Sequence, residues 1–243
     1  REHLDYLNNL GFTAIWLNPI LENDQPRWSY HGYATTDYYQ VDRRFGSNEE
    51  YKELVEAARA KGMKVIMDMI MNHCGSEHWW MEELPTADWI NNGGVHAQTT
   101  HRRTTLRDPY AAESDVAGFS DGWFVEEMPD LNQRQPLLAD YLIQNTLWWI
   151  EYLGLSGIRM DTYPYSDAAF MSDWSHTTGA AVLNAGMKGR AFGSSKLSKE
   201  NIEEIQDTLF EFYPMLLRVF TYYSCVGADA TGCVYGIGRA GYT

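Results

Sequence analysis

The chain has 243 residues, and 33 Asp and Glu against 19 Lys and Arg give it a formal net charge of −14 at pH 7. Such an acidic balance argues against nucleic acids and anionic membrane surfaces as partners, and no run approaches the roughly 18 apolar residues of a membrane-spanning helix. The three cysteines fit neither a disulfide framework nor a metal-binding spacing.

The first part of the chain alternates between apolar strands and an amphipathic helix. A continuous apolar run over residues 12–17 predicts a strand buried on both faces, as in a parallel sheet. Ser47 followed by Glu50 has the pattern of a capping box, so a helix is predicted from there to Gly62. A second buried strand is predicted over residues 64–71. This order is typical of a parallel α/β fold.

The middle of the chain interrupts this alternation and then resumes it. We interpret residues 74–135 as an inserted subdomain, because structureless loops longer than about 12–15 residues are uncommon. Three of its tryptophans are interpreted as packing residues, with platforms for sugar rings as the alternative: Trp79, Trp80 and Trp89. A helix is predicted over residues 136–152 and a third strand over residues 157–161.

The composition changes sharply at residue 175. Beyond it six basic and six acidic residues cancel, so the whole net charge and all nine tryptophans lie before it. We expect residues 175–243 to be a divergent, poorly specified tail. The break is typical of a domain boundary, and it also fits a shift of reading frame near Trp174. Arg1 is not a natural start, so we expect a fragment whose N terminus specifies no compartment.

The third predicted strand ends in an arginine and a carboxylate two residues apart. Residues i and i+2 of a strand point to the same face, so Arg159 and Asp161 project together. An adjacent arginine favours the ionised form of a carboxylate. That suits a nucleophile or a group that stabilises a positive transition state. A purely structural ion pair at a strand end is the alternative.

Four short motifs stand in order along the chain: Tyr-His-Gly-Tyr at 30–33, Asp-Met-Ile-Met-Asn-His at 68–73, Met-Pro-Asp-Leu-Asn at 128–132 and Gly-Ile-Arg-Met-Asp at 157–161. The ordered set resembles glycoside hydrolase family 13, the α-amylase family. Residues 161–165, Asp-Thr-Tyr-Pro-Tyr, look most like the cyclomaltodextrinase and neopullulanase-like members. The resemblance covers residues 1 to about 174.

The resemblance implies a (β/α)8 TIM barrel with an inserted subdomain after strand 3. Residues 12–18, 64–71 and 157–161 would then be barrel strands two, three and four. A full barrel takes about 250 residues without the insert, so an incomplete barrel is expected. The chain is accordingly divided into two barrel parts, the insert and the tail: residues 1–73, 136–174, 74–135 and 175–243.

The resemblance also implies a role for each motif residue. Asp161 would be the nucleophile that attacks the anomeric carbon, with Arg159 holding it ionised and oriented. Tyr33 would stack on the sugar at the cleaved bond. His31 and His73 would hydrogen-bond the hydroxyl groups of that sugar.

Asp68 would brace the site, although it could also be an ordinary buried structural acid. In many members the residues that match Asn72 and Asp130 bind calcium between barrel and insert, and oxygen ligands suit that ion. The Lys-His pair that many calcium-binding members carry is replaced here by Pro-Tyr at 164–165. A junction with calcium and one without it are both open.

A retaining glycosidase also needs a carboxylic acid roughly 5–5.5 Å from its nucleophile. The family's acid is a Glu that ends the fifth strand, commonly with Trp close behind, and this chain has no Trp after Trp174. Four Glu residues follow Trp174, and Glu211 is the one among them that lies in a strand-like run, which makes it the remaining candidate for the acid. The family's further aspartate in a His-Asp context is also missing.

The resemblance therefore implies a retaining α-glucan hydrolase, which we expect to be truncated and to lack its general acid. Its substrates would be starch-derived oligosaccharides, cyclomaltodextrins or pullulan, cleaved at α-1,4 or α-1,6 bonds. The alternatives are a non-catalytic α-glucan-binding relative and an inactive frame-shifted product. No sequence feature specifies an oligomeric state.

Overall fold

A computed structural model describes residues 1–27, 30–106 and 108–187, with side chains up to residue 182. The α-helices are α1 (Leu4–Asn9), α2 (Asn48–Ala60), α3 (Glu113–Ser120), α4 (Pro136–Leu153) and α5 (Ala168–Met187). The strands are β1 (Ala14–Trp16), β2 (Leu21–Glu22), β3 (Asp37–Val41), β4 (Lys64–Met69) and β5 (Gly157–Met160). Short 3-10 helices lie at Trp79–Met81, Asn91–Gly94 and Arg103–Leu106.

The three predicted strands form one parallel sheet in the order β1-β4-β5. Trp16 pairs with Ile66, and Asp68 pairs with Arg159. All three strands therefore end at the same edge of the sheet, which brings the residues that follow them together. The parallel α/β unit predicted from the sequence is present in the described residues, as an open sheet.

The helices of this unit begin and end where their sequence signals predict. The Ser47 hydroxyl accepts from the Glu50 amide at 3.2 Å, and the Glu50 carboxylate accepts from the Ser47 amide at 3.0 Å, which completes the capping box. Helix α4 starts with Pro136 and stops at Gly154, whose φ of 66° is the left-handed conformation that glycine adopts without strain.

Tyr38 of β3 ties these elements to the functional end of the sheet. Its carbonyl oxygen accepts from Asn145 and from the Trp149 indole of α4, both at 2.8 Å. Its hydroxyl donates to the His73 carbonyl at 2.8 Å. The short β2–β3 ribbon was not predicted, because its two-residue strand β2 is too short to show a period.

The two ends of the insert lie side by side and are joined by main-chain hydrogen bonds. The amide of Leu131 donates to the Asn72 carbonyl at 2.9 Å, and the amide of Cys74 donates to the Pro129 carbonyl at 3.1 Å. Its tryptophans pack inward at Trp80 and Trp89, as predicted, whereas Trp79 is 55% exposed.

Helix α5 passes through residue 175, so the helix shows no break where the composition changes. Glu211 and the rest of residues 188–243 lie outside the described residues, and the division of the chain into domains stays a prediction. Among the described helices, none has the length and apolar character needed to cross a membrane.

Asp42, at the end of β3, forms an ion pair with Arg44, and this pair makes the stability of the fold depend on pH. The guanidinium donates to both carboxylate oxygens at 2.8 and 2.7 Å, and this lowers the pKa of Asp42 to about 2. A depressed folded-state pKa contributes stability above the unfolded value, near 3.9, and that stability is lost as the pH falls through it towards 2.

We therefore expect Asp42→Asn to lower the free energy of unfolding by about 2 kcal/mol at pH 7. The deficit should shrink as urea titrations are repeated at pH 5, 4 and 3. Arg44→Met should reproduce both the deficit and its pH dependence. A deficit of constant size across this range would contradict the assignment.

Candidate active site

Arg159 lies at the centre of the site, on the face of β5 opposite to the core. Its neighbours Ile158 and Met160 are 0% and 1% exposed and pack inward. Asp161 follows on the side of Arg159, and the two form an ion pair with Nη1 and Oδ1 2.7 Å apart. The shared face predicted from their spacing is therefore confirmed.

The same guanidinium group pairs with a second carboxylate from the neighbouring strand. Nη1 of Arg159 donates to Oδ1 and Oδ2 of Asp68 at 2.9 and 3.0 Å. The indole Nε1 of Trp16 donates to Oδ2 of Asp68 at 3.0 Å, and the Tyr33 hydroxyl lies 3.4 Å from the same atom. The Arg159 guanidinium carbon also lies 5.2 Å from the Trp16 ring centre and 5.8 Å from that of Tyr33.

The carboxylates of Asp68 and Asp161 differ in their exposure to solvent. The Asp68 side chain is 0% exposed, whereas that of Asp161 is 11% exposed. Burial raises the pKa of Asp68 to about 7, against the opposing effect of Arg159. Since its oxygens are engaged by Arg159 and Trp16, Asp68 is placed to brace the arginine. Asp161 is the carboxylate that a ligand can approach.

The main chain of Tyr33 is held by His31 and His73, the two histidines predicted to bind sugar hydroxyl groups. The Tyr33 amide donates to Nδ1 of His31 at 2.9 Å, and Nε2 of His73 lies 2.9 Å from the Tyr33 carbonyl. Burial lowers the pKa of both histidines and so favours their neutral forms. Burial also raises the pKa of Tyr33 to about 12 and keeps its hydroxyl protonated.

His73 is buried, unlike a side chain that faces solvent and binds sugar. It is 2% exposed, and its Nδ1 has no hydrogen-bond partner among the described residues. Its ring meets the edge of Phe124 from the insert, with ring centres 5.4 Å apart. The structure thus gives His73 a role in supporting the Tyr33 main chain, and its contact with sugar hydroxyls stays a prediction.

The loop after Asp161 is joined to the insert by aromatic packing. The Tyr165 ring stacks on Phe119 at 4.3 Å between ring centres and meets Phe124 at 4.8 Å. The Tyr165 hydroxyl lies 3.1 Å from Nδ1 of His101. Phe124 and Trp16 were not singled out from the sequence, because Phe124 belongs to none of the motifs and Trp16 lies in a continuous apolar run.

Asn72 and Asp130 meet at the junction of sheet and insert, where calcium was one of two open possibilities. Asp130 is 1% exposed, and its two oxygens accept from the side-chain amides of Asn72 and Asn91, each at 2.8 Å. Oδ1 of Asn72 accepts from the Ser166 hydroxyl at 3.2 Å.

The orientation of Asn91 follows from Arg134, whose Nη2 lies 2.9 Å from its Oδ1. A guanidinium group can only donate, so the Asn91 nitrogen must face Asp130. Calcium takes six to eight oxygen ligands, and here the oxygens already accept from nitrogen or hydroxyl donors. The described residues also contain no cluster of three or more His, Cys, Asp or Glu side chains able to hold a metal ion. The residues present do not fit calcium.

We therefore expect millimolar calcium or EDTA to leave the melting temperature of the chain unchanged. A real site at about a hundred times its Kd would add about 2.7 kcal/mol and shift the melt visibly. Asn91→Asp is the matched variant, because it places a second carboxylate beside Asp130. It should melt earlier than the wild type and recover when calcium is added. A calcium-dependent wild-type melt would contradict this interpretation.

Comparison with known proteins places these residues in context. The family model described as alpha amylase, catalytic domain, matches residues 1–175. A cyclomaltodextrinase of Geobacillus thermopakistaniensis is 32% identical over 71% of this chain and 28% of its own length. Alpha-amylase 3 of Dictyoglomus thermophilum is 31% identical over 71% of this chain and 34% of its own.

Solved structures agree with the sequence relatives. An alpha-amylase from Geobacillus thermoleovorans, complexed with acarbose, superposes with a TM-score of 0.62 at 33% identity. The alignment covers 74% of this chain and 37% of that one. The chain thus spans about a third of the length of each of these three relatives.

Proposed function

Because the chain belongs to the alpha-amylase family, whose catalytic-domain model matches residues 1–175, we propose that it carries the nucleophile side of a retaining α-glucan hydrolase site. Asp161 is the nucleophile, Arg159 orients it and Asp68 braces Arg159. The observation that carries the proposal is the shared arginine, which pairs with one inaccessible and one accessible carboxylate. Tyr33 forms the wall on which the sugar stacks.

The same proposal extends to the fold and the substrate. Strands β1, β4 and β5 are strands two, three and four of a (β/α)8 barrel, and the segment between β4 and α4 is the family's insert. The open three-stranded parallel sheet supports this assignment. The substrates are α-1,4- or α-1,6-linked glucans, among them starch-derived oligosaccharides, cyclomaltodextrins and pullulan.

The first chemical step of the proposed reaction is an attack by Asp161. An oxygen of the Asp161 carboxylate forms a bond to the anomeric carbon, and the bond from that carbon to the leaving group breaks with its electron pair. The product is a glycosyl ester of Asp161 with inverted configuration. In a complete site water then cleaves it, with the second carboxyl group taking the proton from that water, and the original configuration is restored. Arg159 lies 2.7 Å from one Asp161 oxygen and holds the carboxylate in place for this attack.

Cleavage of a natural glucan also needs a second carboxyl group that protonates the leaving oxygen. Among the described residues, the carboxylates paired with Arg159 are Asp161 and Asp68, and the Asp68 side chain is 0% exposed. Asp68 therefore cannot deliver a proton to substrate. We propose that the chain by itself does not turn over unactivated glucans. The absence of the general acid stays a prediction, and Glu211, the alternative to it, lies outside the described residues.

An activated substrate tests the nucleophile without the acid. Fluoride leaves a sugar without being protonated, so α-maltosyl fluoride should glycosylate the chain. The expected result is release of one fluoride per protein, a mass gain of one maltosyl unit and a labelled peptide that contains Asp161. Maltotetraose under the same conditions should release no reducing sugar.

Each other outcome has a defined meaning. Steady release of reducing sugar from maltotetraose would overturn the claim that the chain lacks its acid. Absence of labelling together with maltotriose binding in calorimetry would overturn the nucleophile assignment and favour an α-glucan-binding relative. Absence of both would overturn the proposed function altogether.

A further inference from the structure

Trp16 occupies a position from which few side chains could reach the site. It is the last residue of β1 and pairs with Ile66 of β4, whereas Asp68 lies two residues further along that strand. The Trp16 side chain nevertheless places its Nε1 3.0 Å from Oδ2 of Asp68, a contact between residues 52 positions apart in sequence. A short side chain would not span this offset, and an aromatic ring without an N–H would not make the bond.

The way in which Arg159 is held also points to Trp16. The guanidinium group makes its hydrogen bonds to Asp68 through Nη1, while its Nε is buried without a partner among the described residues. The ion pair with Asp161 uses the same nitrogen, so these contacts hold one end of the group and leave its other end to be positioned by packing. The Trp16 and Tyr33 rings, at 5.2 and 5.8 Å, pack against the group and limit how far it can tilt.

We propose that Trp16 is a positioning residue that aims Arg159 at the nucleophile by two routes. Its N–H fixes Asp68, which fixes Nη1 of Arg159, and its ring limits the tilt of the guanidinium plane. This inference rests on the proposed function of Asp161, since the orientation of Arg159 matters to the reaction through that carboxylate. Trp16 itself touches no reacting atom.

Substitutions separate the two routes. Trp16→Phe keeps an aromatic face over Arg159 but loses the donor, and Trp16→Leu loses both. Because the lost bond is made to a charged group, Trp16→Phe should slow labelling by α-maltosyl fluoride roughly ten- to a hundredfold. Trp16→Leu should slow it further. Trp79→Phe, at a 55% exposed tryptophan of the insert, is the matched control and should label at the wild-type rate.

A second readout does not depend on chemistry at Asp161. In protein labelled with 15N-tryptophan, the indole signal that disappears in Trp16→Phe belongs to Trp16. That signal should shift as Asp68 titrates, and the shift should vanish in Asp68→Asn. The other ionisable groups that act on or respond to Asp68 are Arg159 and Asp161 from the β5 side, Tyr33 from the loop and Tyr51 of α2. A tryptophan whose N–H is not bonded to Asp68 would not report on its titration, so this readout tests the first of the two routes.

The two readouts give distinguishable failures. If wild-type protein does not label but the Trp16 signal follows Asp68, the function proposed for Asp161 fails while the contact stands. If wild-type protein labels and Trp16→Phe labels at the same rate, the positioning role is overturned. A Trp16 signal that ignores Asp68→Asn would overturn it as well.

Discussion

Replacing Asp161 with asparagine is expected to abolish glycosylation by α-maltosyl fluoride while leaving the fold in place. The side-chain amide has the same shape and still offers Arg159 an oxygen acceptor, but it lacks the charge and nucleophilicity of a carboxylate. Removal of a residue that performs the bond-forming step reduces rates by roughly 10³-fold or more. Mass spectrometry of the intact protein against time measures the loss directly.

Asp173→Asn is the control for this experiment, because it removes the charge of an exposed aspartate on α5. It should label at the wild-type rate. Labelling of Asp161→Asn at a comparable rate would assign the nucleophile to another group. A peptide map of the labelled variant would then identify that group.

Replacing Arg159 with methionine is expected to reduce both stability and labelling. Arg159 is the cation paired with Asp68, whose side chain is 0% exposed, and with Asp161 at 11%. Removing one partner of a buried ion pair costs about 3–5 kcal/mol, because the other charge is left uncompensated. Arg159→Lys should lose less stability but still lose labelling, since lysine has no planar group to place between two rings.

The stability loss of Arg159→Met should grow with pH, and the sign follows from Asp68. Burial already raises the pKa of Asp68 to about 7, so below that value the carboxyl is largely neutral with or without the arginine. Above it the wild type carries an ionised, paired carboxylate, whereas the variant must bury an unpaired charge or take up a proton. Urea titrations should therefore show a smaller deficit at pH 5 than at pH 8.

The double variant Arg159→Met with Asp68→Asn tests the coupling. It should recover part of the lost stability, since the uncompensated acid is gone, but it should not recover labelling. A double variant whose losses simply add would mean that the two side chains do not interact.

Local signals in the sequence were sufficient to predict the helices and strands that carry the site. The capping box at Ser47, the stop at Gly154 and the alternation around Arg159 depend on neighbours a few residues away. Such short-range patterns can be interpreted without knowledge of the fold. That is why helix α2, helix α4 and the shared face of Arg159 and Asp161 were predicted and are present.

The remaining features depend on contacts that the sequence does not display. Trp16 lies in an apolar run, where nothing separates a packing indole from one that donates to an acid 52 residues away. Thr162 has a φ of 47°, a left-handed conformation that no pattern predicts for a β-branched residue directly after Asp161. The partners of Asp130 depend on Asn91 and Arg134, which belong to none of the motifs.

The closely paired ends of the insert have a consequence for engineering. Hydrogen bonds join Asn72 to Leu131 and Cys74 to Pro129, so the segment between them behaves as one closed loop on a fixed base. Doubling the length of such a loop costs only about 0.6 kcal/mol in closure entropy. The 92% exposed Tyr110 therefore marks a place where a foreign peptide could be grafted without shifting the strands that carry the site.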